Sequence, residues 1–518
     1  MKPFLLFRLT VIALITMVLS SIAVGTHAYT MQESTSQTMD EGIDSVTVPL
    51  ERAEASWRDI FRIPETLAQR NVFHILDLDP QKIHTSWSFN PTYLSFEEKV
   101  IDTALWMPHL YFPQDRKFET YSHLGQLGGA SQYDHFFTRP NREPFIFFNH
   151  YRPYSIRGLS HNHYHVRKPF TILTYSTGGQ RRNADQIFKV FHSQNVNPYL
   201  NFGIDFNHYG TKGKYMHQET RNNAYAFYVN YFKGNLSAQL AFANNRFRSQ
   251  ENGGVTHPSF IADTLLEPRL IPFMLNVASK AQSEARYRNI SANVGYTLLN
   301  VKTQRKDTAG TLVSTYIPLL SSRIIVENST HSRLYLDEDP SNPFYPNQYI
   351  SPIRTLDSAS LNSWDVIAMV EILQFAKIPG MPGLRGWIGH QALEYYYFEP
   401  TDFIYARQSP ALSTSHFGIG AYSHSPYLSY EGALRLYVKG YRAEDKELNG
   451  RIRFSPWKDA DMPQLIGRVS ILEREPDIFF SRYFSNHYQW DNKFAKEKRF
   501  RIEGALRFDR WWTEVGYN

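Results

Sequence analysis

The sequence predicts an all-β protein: a transmembrane antiparallel up-and-down β-barrel of about 14–18 strands that follows an irregular N-terminal segment. Three observations lead to this fold class. Short segments that alternate apolar and polar residues recur from Pro169 onward, which indicates successive antiparallel strands. Aromatic residues make up 15% of the 518 residues, and strands and membrane interfaces favour them. The mean hydropathy of −0.43 is too polar for a bundle of membrane helices.

The first 28 residues have the pattern of a cleaved secretory signal peptide, which predicts export. Lys2 and Arg8 precede an apolar run from Leu9 to Val24, and small residues then favour cleavage after Ala28. A single anchoring helix is the alternative. The run is interrupted and shorter than the roughly 20 residues that a membrane span needs, so we favour the signal peptide.

Beyond the signal peptide the chain divides into two parts. Residues 29–165 are polar or irregular, with many His, Pro and aromatic residues and no sustained period. We expect this part to be periplasmic or to act as a plug. Residues 166–518 carry the alternating segments, about fifteen of them, with lengths that suit the roughly 10-residue strands of a membrane barrel.

Three segments show the alternation most clearly, namely Leu200–Asn207, Leu428–Gly440 and Arg499–Phe508. Large apolar side chains occupy every second position, and polar or charged side chains lie between them. In a membrane barrel the apolar row faces lipid and the polar row faces the lumen. The residues that we predict to face the lumen are Asp205, Asn207, Glu431, Arg435, Lys439, Arg499, Arg501, Glu503 and Arg507.

A soluble β-sandwich could use the same alternation, because it buries its apolar faces between two sheets. We favour the barrel because the polar rows mix charges of both signs, as a water-filled lumen would. Aromatic clusters near predicted strand ends, such as Tyr395–Phe398 and the pair Trp511 and Trp512, are typical of membrane-interface girdles. Tight connections also alternate with long ones, which resemble external loops and lie at residues 245–282, 338–363 and 399–414.

Cysteine content and charge exclude several classes of protein. The chain has no cysteine, which excludes a disulfide scaffold, thiol catalysis and thiolate metal sites. The formal net charge of +6 is mild for this length, and no basic block stands out. We therefore expect no nucleic-acid partner.

The remaining motifs predict no enzyme, no metal and no cofactor. His161, His163 and His165 alternate and could share one face of a strand, as zinc or copper ligands do, but no orienting carboxylate is evident nearby. The sequence has no G-x-S-x-G nucleophile elbow, although a lipid-cleaving barrel stays open as a third class of function. The acidic residues 337–339 are better explained by a solvated turn than by a calcium site.

Several long stretches carry a resemblance to a known family. They are SHLGQLGGASQ (122–132), VFHSQNVNPYLNFGIDFNHYGTKGKY (190–215), NNAYAFYVNYF (222–232), FRSQENGG (247–254) and FSNHYQWDNKFAKEKRFRIEGALR (484–507). Together they resemble the putative-porin family of the Bacteroidota outer membrane, from about residue 102 to the end. The resemblance implies a signal peptide, an outer-membrane barrel and passive transport. In that family several strands follow the stretch that resembles 484–507, so we expect a chain shortened at its C-terminus, or a barrel that closes early.

The polar rows carry the functional prediction. Arg435, Lys439, Arg499, Arg501 and Arg507 make the C-terminal rows basic, which predicts a weak preference for anions over cations. The expected protein is a bacterial outer-membrane porin for small hydrophilic solutes. Its expected partners are membrane lipid and those solutes, and it could form a homo-oligomer. The alternative is a barrel without an open channel, whose long loops, above all 245–282, bind a ligand or partner.

Overall fold

The computed structural model describes a defined set of residues, which excludes residues 1–82 and with them the predicted signal peptide. The described residues are 83–99, 111–116, 120–136, 144–180, 183–263, 265–275, 280–306, 312–340, 344–373, 382–400, 405–408, 411–423, 427–456, 462–508 and 513–517.

The described residues between 83 and 166, here called the inner segment, contain five short strands and the 3₁₀ helix Ile146–Tyr154. The strands are β1 (His84–Asn90), β2 (Ser95–Lys99), β3 (Tyr121–His123), β4 (Ser131–Tyr133) and β5 (His163–Val166). Strand β1 pairs with β2 and β5, and β3 pairs with β4, all antiparallel. These short elements are separated by described residues without regular secondary structure. Residues 85–89 of β1 are all buried, although polar and apolar side chains alternate in the sequence from Ser86 to Asn90.

One antiparallel sheet of fifteen successively paired strands, the main sheet, forms most of the rest of the chain. Its strands are β6 (Phe170–Gly178), β7 (Asp185–Asn197), β8 (Leu200–Thr211), β9 (Thr220–Lys233), β10 (Leu236–Gln250), β11 (Gln282–Lys306), β12 (Leu312–Asp337), β13 (Thr355–Ile372), β14 (Gly383–Pro400), β16 (Ala411–Ser423), β17 (Leu428–Gly440), β18 (Lys446–Phe454), β19 (Gln464–Arg474), β22 (Glu497–Phe508) and β23 (Thr513–Tyr517). The prediction of an all-β, up-and-down antiparallel fold is therefore confirmed. Among the described residues, β6 and β23 end the series and do not pair with each other.

A few short elements complete the described structure. They are β15 (Tyr405–Gln408), which pairs with β14, the hairpin of β20 (Arg482–Phe484) and β21 (Gln489–Asp491), the helices α1 (Ser259–Ala262) and α2 (Ile478–Ser481), and the 3₁₀ turn Pro268–Leu270.

Long and short connections lie at opposite ends of the main sheet, because consecutive strands run in opposite directions. The long-loop end carries the connections 212–219, 251–281, 338–354 and 475–496. The short-turn end carries tight turns such as the one at Gly234, whose φ of 58° suits a residue without a side chain. This one-sided distribution is typical of outer-membrane barrels.

Candidate functional site

Side chains of the main sheet alternate between an inner face, which contacts the inner segment, and an outer face. On β9, Asn222 is fully buried on the inner face, whereas Tyr225 and Phe227 are 40% and 44% exposed on the outer face. Contacts with the inner segment extend from Asn195 on β7 to Arg501 on β22. The main sheet therefore wraps around the inner segment, and the interior that they share is the candidate functional site.

Neutral amides hold the inner segment to β9 and β10. The Asn245 side chain accepts a hydrogen bond from the Ile156 backbone N–H at 2.8 Å and donates one to the Ile156 carbonyl at 2.9 Å. The Asn222 amide donates to the carbonyl of Gly128 at 2.7 Å. Both asparagines are fully buried, so each of these bonds forms away from bulk water. We call this region, with Asn230, the amide side.

His163 is the third contact of the amide side. Its Nδ1 lies 2.8 Å from Oδ1 of Asn230, and its Nε2 lies 3.4 Å from the carbonyl oxygen of Gly158. The imidazole is 1% exposed, and burial lowers the pKa of His163 to about 4. The ring is therefore neutral in the docked segment at physiological pH.

A chain of ion pairs holds the inner segment to the opposite part of the sheet, β13 to β18. The Arg385 guanidinium lies 3.2 Å from a carboxylate oxygen of Glu371 and 3.1 Å from one of Glu431. Arg451 continues the chain, with contacts of 2.6 Å to Glu431 and 2.9 Å to Glu97 of the inner segment. Because Arg385 and Glu431 are almost completely buried, these charges depend on one another. We call this region the ionic side.

The inner segment contributes further groups to the ionic side. Burial opposes ionisation of Glu97, but Arg451 and Lys99 outweigh it and lower the pKa of Glu97 to about 2. The Arg385 guanidinium also donates to the backbone carbonyl of Tyr93. The turn between β1 and β2 is thus fixed by both backbone and side-chain contacts.

An aromatic layer fills the interior toward the long-loop end. Phe148 and Tyr151 of the 3₁₀ helix pack against Phe247 of β10, and Phe148 also packs against Tyr287 of β11. The buried part of this layer also includes Phe145, Tyr154, Tyr209, Tyr395, Tyr397 and Phe479. The interpretation of residues 395–398 as a girdle on the lipid side was therefore wrong for Tyr395 and Tyr397. Every second residue of a strand shares a face, so a run of consecutive aromatics supplies both faces.

Two cavities remain beside the inner segment. One of about 740 Å³ lies between the 3₁₀ helix, β11 and the connection 475–496. The other, of about 630 Å³, reaches from the inner segment to β11–β19 and is lined by many charged groups. The arginines are Arg152, Arg157, Arg435, Arg442 and Arg474, and the carboxylates are Glu327, Asp365, Glu447, Glu475, Asp477 and Glu497. Burial raises the pKa of Asp477, which lies in the connection 475–496, to about 7.

Among the predicted lumen residues, Asp205 on β8 and Glu431 and Arg435 on β17 lie close to the inner segment. Asp205 is 2.9 Å from Nε2 of His161 and accepts a hydrogen bond from Asn207 at 3.1 Å. Glu431 is the buried centre of the ionic side. Arg435 lines the 630 Å³ cavity, where it lies 3.7 Å from Glu447 and donates to the carbonyl of Pro91 at 3.2 Å.

The other predicted lumen residues are less enclosed. Lys439 and Arg507 are exposed, and Arg499 is half-buried. Arg501 donates to the carbonyl of Phe136 at 3.5 Å, and Glu503 forms an ion pair with Arg468 on β19. The structure thus brings Glu431 and Arg435 together on one side of the interior, with Asp205 and Asn207 on another.

Sequence reasoning missed the groups that hold the inner segment, namely Arg385, Glu371, Asn222, Asn230 and Asn245. The asparagines carried a usable signal, because Asn222 and Asn230 stand at even spacing and therefore share one face of a strand. No local signal marks Arg385, whose partners lie on other strands. His161, His163 and His165, considered above as metal ligands, instead contact Asp205, Asn230 and Asn195 respectively.

Two features are absent from the described residues. No group of three or more His, Cys, Asp or Glu side chains among them could hold a metal ion. None of the helices in the described part of the chain is long and apolar enough to cross a membrane.

Solved structures with a similar course of the chain are siderophore receptors, at low identity. They include the siderophore receptor PirA from Acinetobacter baumannii (9% identity, TM-score 0.42), a mutant of the ferric enterobactin receptor PfeA from Pseudomonas aeruginosa (8%, 0.41) and the ferric preacinetobactin receptor BauA from A. baumannii (10%, 0.38). The matches cover 65–66% of this chain and only 50–52% of the receptors, so the chain spans about half their length.

Comparison with sequences gives a more extensive match. No curated protein is significantly similar to the chain. A family model described as putative porin matches residues 87–518, which include nearly all of the inner segment and the whole main sheet. Since this match covers far more than half of the sequence, the chain belongs to the putative porin family.

Proposed function

We propose that this outer-membrane barrel is a porin, which lets small hydrophilic solutes diffuse passively through the space beside the inner segment. The observation that carries the proposal is the 630 Å³ cavity, whose walls include charged side chains from both the inner segment and the main sheet. This volume falls in the range of sites for small molecules, about 300–1,000 Å³. Membership of the putative porin family supports the same function.

In this proposal the inner segment sets the size limit. It occupies the interior from β7 to β22, so solutes pass only where cavities remain beside it. Passage requires no cofactor and no covalent intermediate, because the lining charges replace part of the hydration of the solute. The expected substrates are small polar molecules and ions.

The proposed ion preference is weak and toward anions. Arginines and carboxylates line the 630 Å³ cavity in similar numbers, and opposite charges lie within ion-pairing distance, as for Arg442 and Glu447 at 3.0 Å. The balance shifts toward positive charge because Asp477, with its pKa of about 7, is partly protonated at neutral pH. Strand β22 adds further positive charge through Arg499, Arg501 and Arg507.

The second candidate is a closed barrel whose long loops bind a ligand. The dense docking of the inner segment favours it, since the aromatic layer and the two docked sides leave little free interior. The connection 251–281 belongs to the loop 245–282 to which we assign this role, and it carries exposed apolar side chains at Leu265 and Leu270. The two candidates differ in whether the protein conducts ions.

Conductance in planar bilayers tests the proposal. We expect a porin to show discrete open steps in the current. Under a salt gradient we expect its reversal potential to have the sign of a mild anion preference. Protein that is folded, as judged by its heat-modifiable gel mobility, but shows no steps would contradict the porin and favour the closed barrel.

A disulfide bond that fixes the inner segment to the main sheet tests where solutes pass. The chain has no native cysteine, so no other disulfide bond can form within it. A β-carbon at Gly158 would lie 2.5 Å from Oγ of Ser291 but would clash with Oδ1 of Asn289, so the pair Gly158→Cys and Ser291→Cys is made in an Asn289→Ala background to link the inner segment to β11. We expect equal conductance of the double variant when oxidised and when reduced, because solutes pass beside a fixed segment. Each single variant is the matched control. Conductance that requires reductant would instead mean that the segment must move.

A further inference from the structure

The outer face of β9, β10 and β11 carries an arginine cluster at the long-loop end, formed by Arg221, Arg246, Arg248, Arg286 and Arg288. The pairing register places Arg248 beside both Arg221 and Glu284, and Arg246 beside Arg286. Arg288 follows in the next row, opposite Asn244. These side chains lie on the face opposite to Asn222, Asn245 and Tyr287, which are buried against the inner segment.

Glu284 is the only carboxylate at the outer-face positions of these three rows, and it is already shared. Arg246 contacts its two oxygens at 3.0 Å each, Arg248 contacts it at 2.6 Å, and Arg286 forms a third ion pair with it. Five positive charges therefore face one negative charge. Directly opposed like charges destabilise a sheet, and both Arg221–Arg248 and Arg246–Arg286 are such pairs. An additional anion bound here would offset that repulsion.

The position of the cluster relative to the apolar surface points to the source of the anion. The row of Arg288 also contains Tyr225, and the next row contains Phe227, Phe242 and Ile290, which begin the apolar surface. Aromatic residues mark the interface of a membrane barrel, and its long loops lie outside the cell. The cluster thus sits at the level of the headgroups in the outer leaflet.

We propose that the arginine cluster binds the phosphate groups of a phosphorylated glycolipid in the outer leaflet. Guanidinium groups bind phosphate with two parallel hydrogen bonds, and several of them can share one phosphate. A hollow of about 210 Å³ among Arg221, Asn223, Arg246 and Arg248 offers the place for it. The site is independent of transport, because none of these side chains reaches the interior.

The test measures lipid binding to the full-length protein in detergent by native mass spectrometry, with three probes. They are diphosphorylated lipid A, the same lipid without phosphate, and inorganic phosphate as a competitor. We expect the diphosphorylated lipid to bind at least tenfold more tightly than the dephosphorylated one. Micromolar inorganic phosphate should not displace it, since the acyl chains also contact the apolar rows.

The decisive variant combines Arg221→Gln, Arg246→Gln and Arg248→Gln, and should lose at least tenfold in affinity for the phosphorylated lipid. Its control, Lys168→Gln with Lys233→Gln and Lys498→Gln, removes three positive charges elsewhere and should bind like the wild type. Heat-modifiable gel mobility checks that both variants fold. Equal binding by the two triple variants, equal binding of the dephosphorylated lipid, or displacement by micromolar phosphate would each overturn the proposal.

Discussion

The amide side and the ionic side hold the same inner segment in the same interior by different means. Asn222, Asn230 and Asn245 use neutral amides that bond mainly to backbone groups. Arg385, Arg451 and their three glutamates use charges that bond mainly to each other. A neutral amide is satisfied by one or two local hydrogen bonds. A buried charge needs its whole network, because one missing partner leaves an uncompensated charge away from water.

This difference between the two sides indicates which contacts of the inner segment can be lost at a small cost in stability. Loss of one amide contact weakens docking locally, whereas loss of one ionic partner affects every member of the chain from Glu371 to Glu97. We therefore expect the ionic side to dominate the stability of docking and the amide side to fix its position. The predictions below test this division, starting with the largest effect.

Arg385→Gln should destabilise the folded barrel by about 3–5 kcal/mol, because Glu371 and Glu431 would stay buried without their common partner. Urea unfolding of the protein in detergent, followed by tryptophan fluorescence, measures the free energy of unfolding. Arg468→Gln is the matched control, since Arg468 is 41% exposed and pairs with Glu503 near the edge of the sheet. It should cost less than 1 kcal/mol. Equal losses in the two variants would remove the distinction between buried and exposed pairs.

As the pH falls, the contacts of the amide side should weaken before those of the ionic side, although His163 forms no ion pair. The docked segment keeps His163 neutral down to its pKa of about 4, whereas the undocked side chain takes up a proton near 6.5. The docked state therefore binds fewer protons, and its stability falls as the pH drops from 6.5 to 4, by on the order of 3 kcal/mol. Glu97 on the ionic side contributes its stability above pH 4.5 and loses it only as the pH falls toward 2.

Hydrogen exchange at pH 7 and pH 5 measures this difference between the two sides. Amides of β5 should exchange faster at pH 5, after correction for the intrinsic rate, while those of β2 should not change. His163→Gln should remove the pH dependence, and His257→Gln in an exposed loop serves as the control. Faster exchange in β2 alone would reverse the assignment of the two sides.

Asn245→Ala should cost about 2–3 kcal/mol, because the N–H and the carbonyl of Ile156 would both lose a buried partner. The loss should be nearly independent of salt, since no charge takes part. Asn244→Ala changes the neighbouring residue on the outer face and should have little effect on unfolding by urea. A strong dependence of the Asn245→Ala loss on salt would show that the amide side is coupled to the ionic side.

Much of the main sheet could be predicted from sequence, and the inner segment could not. The segment Leu428–Gly440 alternates so regularly that strand β17 and its faces follow from the sequence, and the structure gives β17 the same bounds. For β1 the short alternation from Ser86 to Asn90 does not reveal that both faces of the strand are buried. The run Tyr395–Phe398 shows a further limit, since local sequence did not reveal that Tyr395 and Tyr397 face inward.

The sequence by itself determined the class of fold and the two faces of each long strand, because a strand alternates its side chains whatever lies beside it. Only the tertiary structure decided what the polar faces meet. The same polar row can line water or a docked segment, and the choice depends on partners far apart in the chain, such as Glu97 with Arg451 and His163 with Asn230. Such pairs depend on strand order and register, which a local pattern does not encode.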